Sequence, residues 1–279
     1  MKNMIKFIGL LTLIIFSFFY TDKVLKVIRE EDSIMIKLNS IKQLNKVDAI
    51  NTKIMNDEMI PGISGKEINI DKSYKKMKKR GYFNHEDIIF DVINPTISMI
   101  DNKDKYIRKG NPNKQMVSII FVITNNKYLS EIESILDKKD VTANYFIHHT
   151  YLMNHTTKIK EMSNREFYNY GDNGIYTPDN LLFSNNLISR ISNHDAIYCL
   201  TLIKNSKTLD ICSKNNLYTI YPQIIVEKNP YLEVINNLSS GSIIFLKMNS
   251  NTIRELELII EYIKGKGLKI VGLSELLTE

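Results

Sequence analysis

The feature that most constrains the fold is an alternation of short apolar runs with amphipathic segments, which begins at residue 117. Residues 117–124 form an apolar run of strand length, residues 141–147 are a second predicted strand, and residues 128–138 between them have the apolar spacing of a helix. This order is typical of a βαβ unit. The pattern continues with predicted strands at 197–202, 218–225, 242–247 and 268–271 and predicted helices at 206–215, 231–237 and 252–264. It predicts an α/β fold, a largely parallel sheet or barrel covered by helices, with the functional site at the carboxyl ends of the strands.

The amino terminus carries an uncharged apolar stretch over residues 7–20, preceded by Lys2 and Lys6. A cleaved signal peptide and a buried core helix are alternative interpretations, but the small residues of a cleavage site do not follow the stretch. We therefore predict an uncleaved membrane anchor over residues 1–22, with residues 5–20 in the membrane. The basic end would stay inside, so the bulk of the chain would lie outside the cytoplasm at the cell membrane.

The chain between the anchor and residue 117 differs in character from the alternating part. Residues 23–59 are polar and carry both signs of charge, which favours a stalk. A turn-rich break at residues 60–65 begins a series of short apolar pieces separated by Asn, Pro and Asp. We predict a small strand-rich accessory unit over residues 60–113, followed by the α/β domain over residues 114–279.

Composition narrows the classes of function. The chain has 279 residues and a formal net charge of +6, and its basic residues are spread along the sequence, which gives no sign of a nucleic-acid partner. Two cysteines cannot form a disulfide scaffold, and they lack the spacing of a structural zinc site. Cys199 and Cys212 could bond between a strand and the following helix, but we predict buried free thiols.

Residues 117–277 resemble the NodB-type polysaccharide deacetylases. The resemblance is carried, in matching order, by residues 135–146 (ILDKKDVTANYF), 241–246 (GSIIFL), 259–268 (IIEYIKGKGL) and 273–277 (LSELL). It implies that residues 114–279 form a distorted (β/α) barrel. It also implies an ancestral activity that removes acetyl groups from N-acetylated sugars by metal-assisted hydrolysis, in which a bound metal lowers the pKa of water.

The residues that would carry this chemistry differ from the family pattern. The resemblance places an Asp-Asp pair at the end of the first strand, where this chain has Asn125 and Asn126. It places two metal-binding histidines at Tyr170 and Gly174, and a late histidine at Lys247. Because an amide cannot accept a proton, we predict that the domain is catalytically inactive.

The predicted function is therefore a glycan-binding or scaffolding module of the cell envelope that needs no cofactor. Its partner would be an envelope glycan or an envelope protein. Lys247 is either an exposed base at the mouth of the groove or a core residue that extends to solvent. The residues predicted to line the groove are Asn125, Asn126, Tyr170, Asp172 and Lys247.

An active metal-dependent deacetylase with a relocated site is the alternative hypothesis. His148 and His149 follow the second predicted strand, so at least one of them could face the site, and Asp172 or Glu166 could complete a site for an ion such as Zn²⁺. Adjacent residues leave a strand in opposite directions, so we expect solvent-facing histidines instead, His155 included.

Overall fold

The structure of the protein is a computed structural model that describes residues 2–162, 165–192 and 194–279, with side chains from residue 11 onward except those of residues 18 and 22. The chain divides into two compact units. The smaller unit contains residues 1–49 and 64–94, and the larger unit contains residues 50–63 and 95–279. The segments predicted as a stalk (23–59) and as an accessory unit (60–113) each contribute residues to both units.

The described helices and strands follow the chain in this order. The α-helices are α1 (Lys2–Glu30), α2 (Ser33–Lys42), α3 (Ile70–Arg80), α4 (Leu129–Lys138), α5 (His149–Asn154), α6 (Thr156–Glu161), α7 (Pro178–Ser192), α8 (Ser206–Lys214), α9 (Pro230–Asn237), α10 (Ser250–Gly265) and α11 (Leu273–Leu277). The strands are β1 (Lys53–Met55), β2 (Glu58–Ile60), β3 (Gly65–Ile68), β4 (Phe90–Ile93), β5 (Tyr106–Ile107), β6 (Met116–Ile123), β7 (Asn144–Ile147), β8 (Glu166–Asn169), β9 (Tyr198–Leu200), β10 (Tyr218–Ile220), β11 (Ile224–Ile225), β12 (Ile243–Phe245) and β13 (Lys269–Ile270). Short 3₁₀ helices lie at His85–Asp87, Met99–Asn102 and Pro112–Lys114.

The smaller unit combines helices α1–α3 with an antiparallel pair of strands, β3 and β4. Helix α2 begins where the Asp32 side chain accepts a hydrogen bond from the backbone N–H of Ile34 (2.9 Å). Helix α3 begins at a similar cap, Asn69, and ends at Gly81, whose φ of +84° lies in the left-handed region that favours glycine. The buried side chains that join these elements are Ile34, Leu38, Ile68 and Met77.

The predicted membrane anchor overlaps α1 from Lys2 onward. Residue 1 and the side chains of residues 2–10, 18 and 22 lie outside the described set. Among the described residues, no helix has both the length and the apolar character needed to cross a bilayer. The prediction of an anchor over residues 1–22 is therefore not confirmed.

The larger unit contains two hydrogen-bonded sheets. One has the strand order β1-β2-β5-β10-β9, and the other has the order β11-β12-β6-β7-β8. Strand β13 pairs with the first residues of β6, so β6 is bonded to three parallel neighbours. Its side chains, from Val117 to Phe121, are buried on both faces, as expected for a parallel strand covered by helices.

The alternation read from the sequence is confirmed for most elements. The runs at 117–124 and 141–147 become β6 and β7, which are adjacent and parallel with Ile120 opposite Asn144. The helices predicted at 128–138, 206–215, 231–237 and 252–264 correspond to α4, α8, α9 and α10. The chain is thus a mixed α/β protein built on parallel pairing.

The predicted strand at 218–225 is wrong in one respect, because it is two strands in different sheets. Strand β10 belongs to one sheet and β11 to the other. Pro222 lies between them and has no backbone N–H for a ladder. The Arg108 guanidinium binds the backbone carbonyl groups of this connection. It donates hydrogen bonds to Tyr221 O (3.4 Å), Gln223 O (3.3 Å) and Pro222 O.

The predicted barrel is not closed by hydrogen bonds in the described part of the chain, because no ladder joins β8 to β9. Side chains bond this edge of β8 instead. The N–H of Phe167 donates to His194 Nε2 (2.8 Å). The buried Tyr176 hydroxyl accepts from Leu200 N–H (2.8 Å) and lies 3.1 Å from Asn169 O and 3.0 Å from Leu200 O, so it contacts both β8 and β9 without a ladder.

The prediction of free thiols is also wrong. Cys199 on β9 and Cys212 on α8 form a disulfide, with their Cα atoms 6.5 Å apart. Strand β9 and helix α8 both pack against β10, which brings the two side chains together at a buried position. The sequence separation of 13 residues does not show that the two cysteines are close. Their distance depends on where α8 packs on the sheet, and the sequence pattern does not specify that position.

Candidate functional site

Four parallel strands end at the same edge of one sheet, and the predicted site residues follow those ends. Asn125 and Asn126 follow β6, His148 follows β7, Tyr170 follows β8 and Lys247 follows β12. The ends of parallel strands are where α/β folds commonly place their sites. The topology therefore brings the predicted residues to one edge.

The two asparagines have their side-chain oxygens bonded within the protein. Asn125 Oδ1 accepts the backbone N–H of Lys127 (2.9 Å), which fixes the turn after β6. Asn126 Oδ1 accepts the hydroxyl of Tyr151. Burial raises the pKa of that hydroxyl, which favours its protonated, donating form. Neither amide can act as a general base toward water.

His148 faces this edge, but its ring is held in a tautomer that does not suit a metal ligand. Its Nδ1 accepts the backbone N–H of Thr150 (3.2 Å), so the proton of the neutral ring is on Nε2. Nε2 lies 4.0 Å from Asp172 Oδ1, and this carboxylate is half exposed. This distance is too long for a hydrogen bond, so Asp172 is a neighbour of His148 and not its bonded partner.

His149 turns away from the same edge. Its Nδ1 lies 2.8 Å from Ser184 Oγ on α7, and its ring makes an edge contact with Phe183. The backbone N–H of His148 bonds to β6, whereas that of His149 bonds to the loop after β8. Of the two adjacent histidines, only His148 reaches the strand ends.

An aromatic pair at this edge was missed by the sequence analysis, which placed His155 in solvent. The rings of Tyr151 and His155 stack in parallel, with centroids 4.1 Å apart and an angle of 8°. His155 Nδ1 lies 3.0 Å from Tyr151 O, which requires a proton on Nδ1 and leaves Nε2 as an acceptor in the neutral ring. The four-residue separation of Tyr151 and His155, which brings side chains together over one helical turn, is the signal that the sequence offered for this pair.

Two adjoining depressions form what we call the strand-end groove. They meet at Thr124 and Asn125, which line both. The larger depression, about 550 Å³, is lined by Thr124, Asn125, Asn126, His148, Thr150, Tyr151, Asn154, His155 and Asn173. The smaller, about 180 Å³, is lined by Val122, Thr124, Asn125, Phe245, Lys247 and Met248. Lys247 is exposed here, which agrees with the first of its two interpretations.

Tyr170 and Asp172 lie beside the groove rather than among its lining residues. The Tyr170 ring is half-buried against the core, and burial raises the pKa of its hydroxyl. A Cβ atom added to Gly174 would lie 3.6 Å from that ring, so positions 170 and 174 are neighbours. Asp172 is exposed, and its carboxylate approaches His148.

The groups at these strand ends do not fit the metal site that the resemblance implies. A catalytic zinc ion takes about three protein ligands. In the ranges that the structure describes, no group of three or more His, Cys, Asp or Glu side chains is placed to hold an ion. His148 uses its ring lone pair on a backbone N–H, and the asparagine oxygens are already bonded. No step through a metal is derived for this site.

Comparisons with known proteins give the fold. No model of a protein family matches the chain. A solved structure of a CE4 family pseudoenzyme from Bacillus anthracis superposes with a TM-score of 0.66 over 89% of this chain and 96% of its own, at 22% identity. The chain has the fold of the CE4, or family 4, carbohydrate esterases. The predicted resemblance to NodB-type deacetylases is thereby confirmed for the fold.

Two further comparisons agree with this fold. Bacillus subtilis PdaA, a family 4 carbohydrate esterase, has a TM-score of 0.54 at 17% identity, covering 64% of this chain and 87% of its own. The uncharacterized protein YlxY of Bacillus subtilis (strain 168) is 26% identical over 241 residues, 79% of this chain and 75% of that protein. The match to the CE4 pseudoenzyme spans both units of the chain, since it covers 89% of it.

Proposed function

We propose that this protein is a catalytically inactive, deacetylase-like module that binds a glycan of the cell envelope in the strand-end groove. Its fold is shared with a CE4 family pseudoenzyme and with a peptidoglycan N-acetylglucosamine deacetylase. A groove shaped for a sugar can keep its affinity after catalysis is lost, because binding depends on shape and hydrogen bonds whereas hydrolysis needs an acid, a base and a metal.

The observation that carries the proposal is the chemistry and hydrogen bonding of the Asn125 and Asn126 side chains. These amides stand where the resemblance places two carboxylates, and both of their Oδ1 atoms are used in internal hydrogen bonds. Water in the groove therefore has no proton acceptor at the end of β6. Loss of a positioned general base lowers turnover by a factor of about 10² to 10⁴.

The groove offers the contacts that sugars use. Amide, hydroxyl and imidazole groups line it, and the stacked Tyr151–His155 pair forms part of its wall. Polar groups of this kind orient a ligand while aromatic and apolar side chains supply contact area. These features support a bound glycan.

A location outside the cytoplasm is part of the proposal. The Cys199–Cys212 disulfide supports it, because such bonds persist in oxidising compartments and are rare where thiols are kept reduced. The glycans of the cell envelope are accessible in that location.

The binding test uses the full chain and N-acetylchitotetraose in isothermal titration calorimetry. We expect Asn125→Ala to weaken binding about fivefold, the size of one lost hydrogen-bonding group and a loosened turn. Asn237→Ala is the matched control, because Asn237 is an exposed asparagine at the end of α9. Equal affinities for the wild type and Asn125→Ala would show that the glycan does not bind in the strand-end groove. No binding by the wild type would favour an envelope protein as the partner.

The activity test measures metal content and acetate release. We expect the dialysed full chain to retain less than about one-tenth equivalent of zinc, cobalt or nickel, because the ligand set is incomplete. Chitooligosaccharides and peptidoglycan fragments should release no acetate. One metal per chain, lost together with acetate release in His148→Ala, would support the active-enzyme alternative. His149→Ala is the matched control, since His149 faces α7.

A further inference from the structure

The charged side chain that lines the strand-end groove is a lysine. Among the described residues that line it, Lys247 is the cation and none is Asp or Glu, whereas the Asp172 carboxylate lies beside the groove, 4.0 Å from His148 Nε2. The depression between α4 and α6 is different, because three carboxylates, those of Glu133, Asp137 and Glu161, line it with one cation, Lys158. The groove is therefore the more basic of the two surfaces and suits an anionic ligand.

Lys247 is a cation without an internal partner. In the part of the chain that the structure describes, its ammonium makes no ion pair or hydrogen bond. Lys204, which follows β9 in the other sheet, bonds instead to Asp57 (2.8 Å) and Glu58 (2.9 Å). The charge of Lys247 is thus available to a ligand in the smaller depression.

We infer that the strand-end groove selects a glycan bearing an anionic substituent, a carboxylate or a phosphate, which pairs with the Lys247 ammonium. This inference rests on the proposed glycan-binding function and deepens it. The sugar ring occupies the larger depression beside Tyr151 and His155, and the anionic group occupies the smaller one. An uncharged glycan would leave Lys247 without a partner.

The experiment compares three ligands in calorimetry with the full chain. N-acetylchitotetraose is neutral, a hyaluronan tetrasaccharide carries carboxylates, and a glycerol phosphate oligomer carries phosphates. We expect the wild type to bind one of the anionic ligands at least about fivefold more tightly than chitotetraose. The better of the two identifies the anion. Lys247→Gln should remove that preference, so that the anionic ligand binds no more tightly than chitotetraose does.

The matched control is Lys266→Gln, which removes the same charge at the far end of α10. Lys266→Gln should keep the preference for the anionic ligand. This result would distinguish a direct contact with Lys247 from a general effect of the net charge. Equal binding of all three ligands, or a preference untouched by Lys247→Gln, would overturn this inference while the proposed glycan binding stands. Failure of the wild type to bind any of the three would overturn both.

Discussion

At the scale of single residues, Glu279 shows how a carboxylate can be built into the larger unit. Its side chain accepts from the hydroxyls of Thr52 and Ser98 and from the backbone N–H groups of Gly62 (3.1 Å) and Met99 (2.9 Å). Burial raises its pKa, but these hydrogen bonds together outweigh burial, so the pKa lies below the ordinary value of a glutamate. The charged form is therefore the one that stabilises the fold.

The sign of the pH dependence follows from this direction. Because the folded pKa is lowered, the stabilisation is present above the ordinary carboxyl pKa and is lost as the pH falls through the folded value. We expect Glu279→Gln to lower the free energy of unfolding by about 1 kcal/mol at pH 7, with a smaller difference at pH 3. Urea denaturation at both pH values measures this difference in the free energy of unfolding. Glu227→Gln, at an exposed position in the same unit, is the control. An unchanged difference at the two pH values would contradict the assignment.

The site was predictable from the sequence only in part at this scale. The positions of Asn125, Asn126 and Lys247 follow from counting past the ends of apolar runs. The stacked pair of Tyr151 and His155 was not predictable in that way, because the two rings meet only after α5 has formed. The tautomer of His148 likewise depends on a backbone N–H two residues away, in a helix too short for periodicity to reveal.

At the scale of elements, Tyr176 replaces a ladder. Its ring is buried, and its hydroxyl accepts from Leu200 N–H at the end of β9. The hydroxyl proton can go to Asn169 O at the end of β8 (3.1 Å) or to Leu200 O (3.0 Å). A buried backbone group without a partner costs about 1–3 kcal/mol. One hydroxyl therefore stabilises the boundary between the two sheets of the larger unit.

Tyr176→Phe tests this role. We expect the free energy of unfolding to fall by about 2 kcal/mol, because two buried backbone groups lose a partner while the ring and its packing remain. Tyr231→Phe removes a hydroxyl from a partly exposed ring on α9 and should change stability by less than about 0.5 kcal/mol. Chemical denaturation followed by circular dichroism measures both variants. Equal effects in the two would show that the Tyr176 hydroxyl carries no such role.

The elements themselves were largely predictable where periodicity is strong. Strands β6, β7 and β12 are largely apolar, and α10 has an apolar face, so their existence follows from pattern alone. The division of residues 218–225 was missed although Pro222 stands in the sequence, because apolar content on both sides concealed the break. The apolar pattern could not show whether a barrel closes. At the edges of β8 and β9 the backbone bonds to the side chains of His194 and Tyr176, which lie outside the strands.

At the scale of the whole molecule, the stability of the fold depends on a disulfide, which in turn requires oxidising surroundings. We predict that thiols of protein taken directly from cells, quenched in acid and denatured, react with a maleimide only after reduction. Cys212→Ser should react without reduction through Cys199. Removing the bond should also lower the stability of the larger unit by roughly 3 kcal/mol, the value expected for a short loop. Reaction of both native thiols without reduction would contradict both the bond and the proposed oxidising location.

The two-unit organisation could not be read along the chain. Residues 50–63 leave the smaller unit, contribute β1 and β2 to the larger one and return. Strand β2 pairs with β5, and β5 pairs with β10, more than a hundred residues later. Periodicity describes a residue's neighbours in sequence, so pairings of this range leave no mark in a window of ten or fifteen residues.

The central strand of the larger unit sets a limit on when the fold can be completed. Ser118 in β6 bonds to Val271, 153 residues later in the chain, and β13 covers the start of β6. At roughly 5–20 residues per second, a ribosome needs about 10–30 s to supply that partner after β6 has been made. During this interval part of an apolar strand edge stays open, and non-local parallel pairing is slow to form. A chain with this topology is therefore open to misassembly at β6 until Val271 has been made.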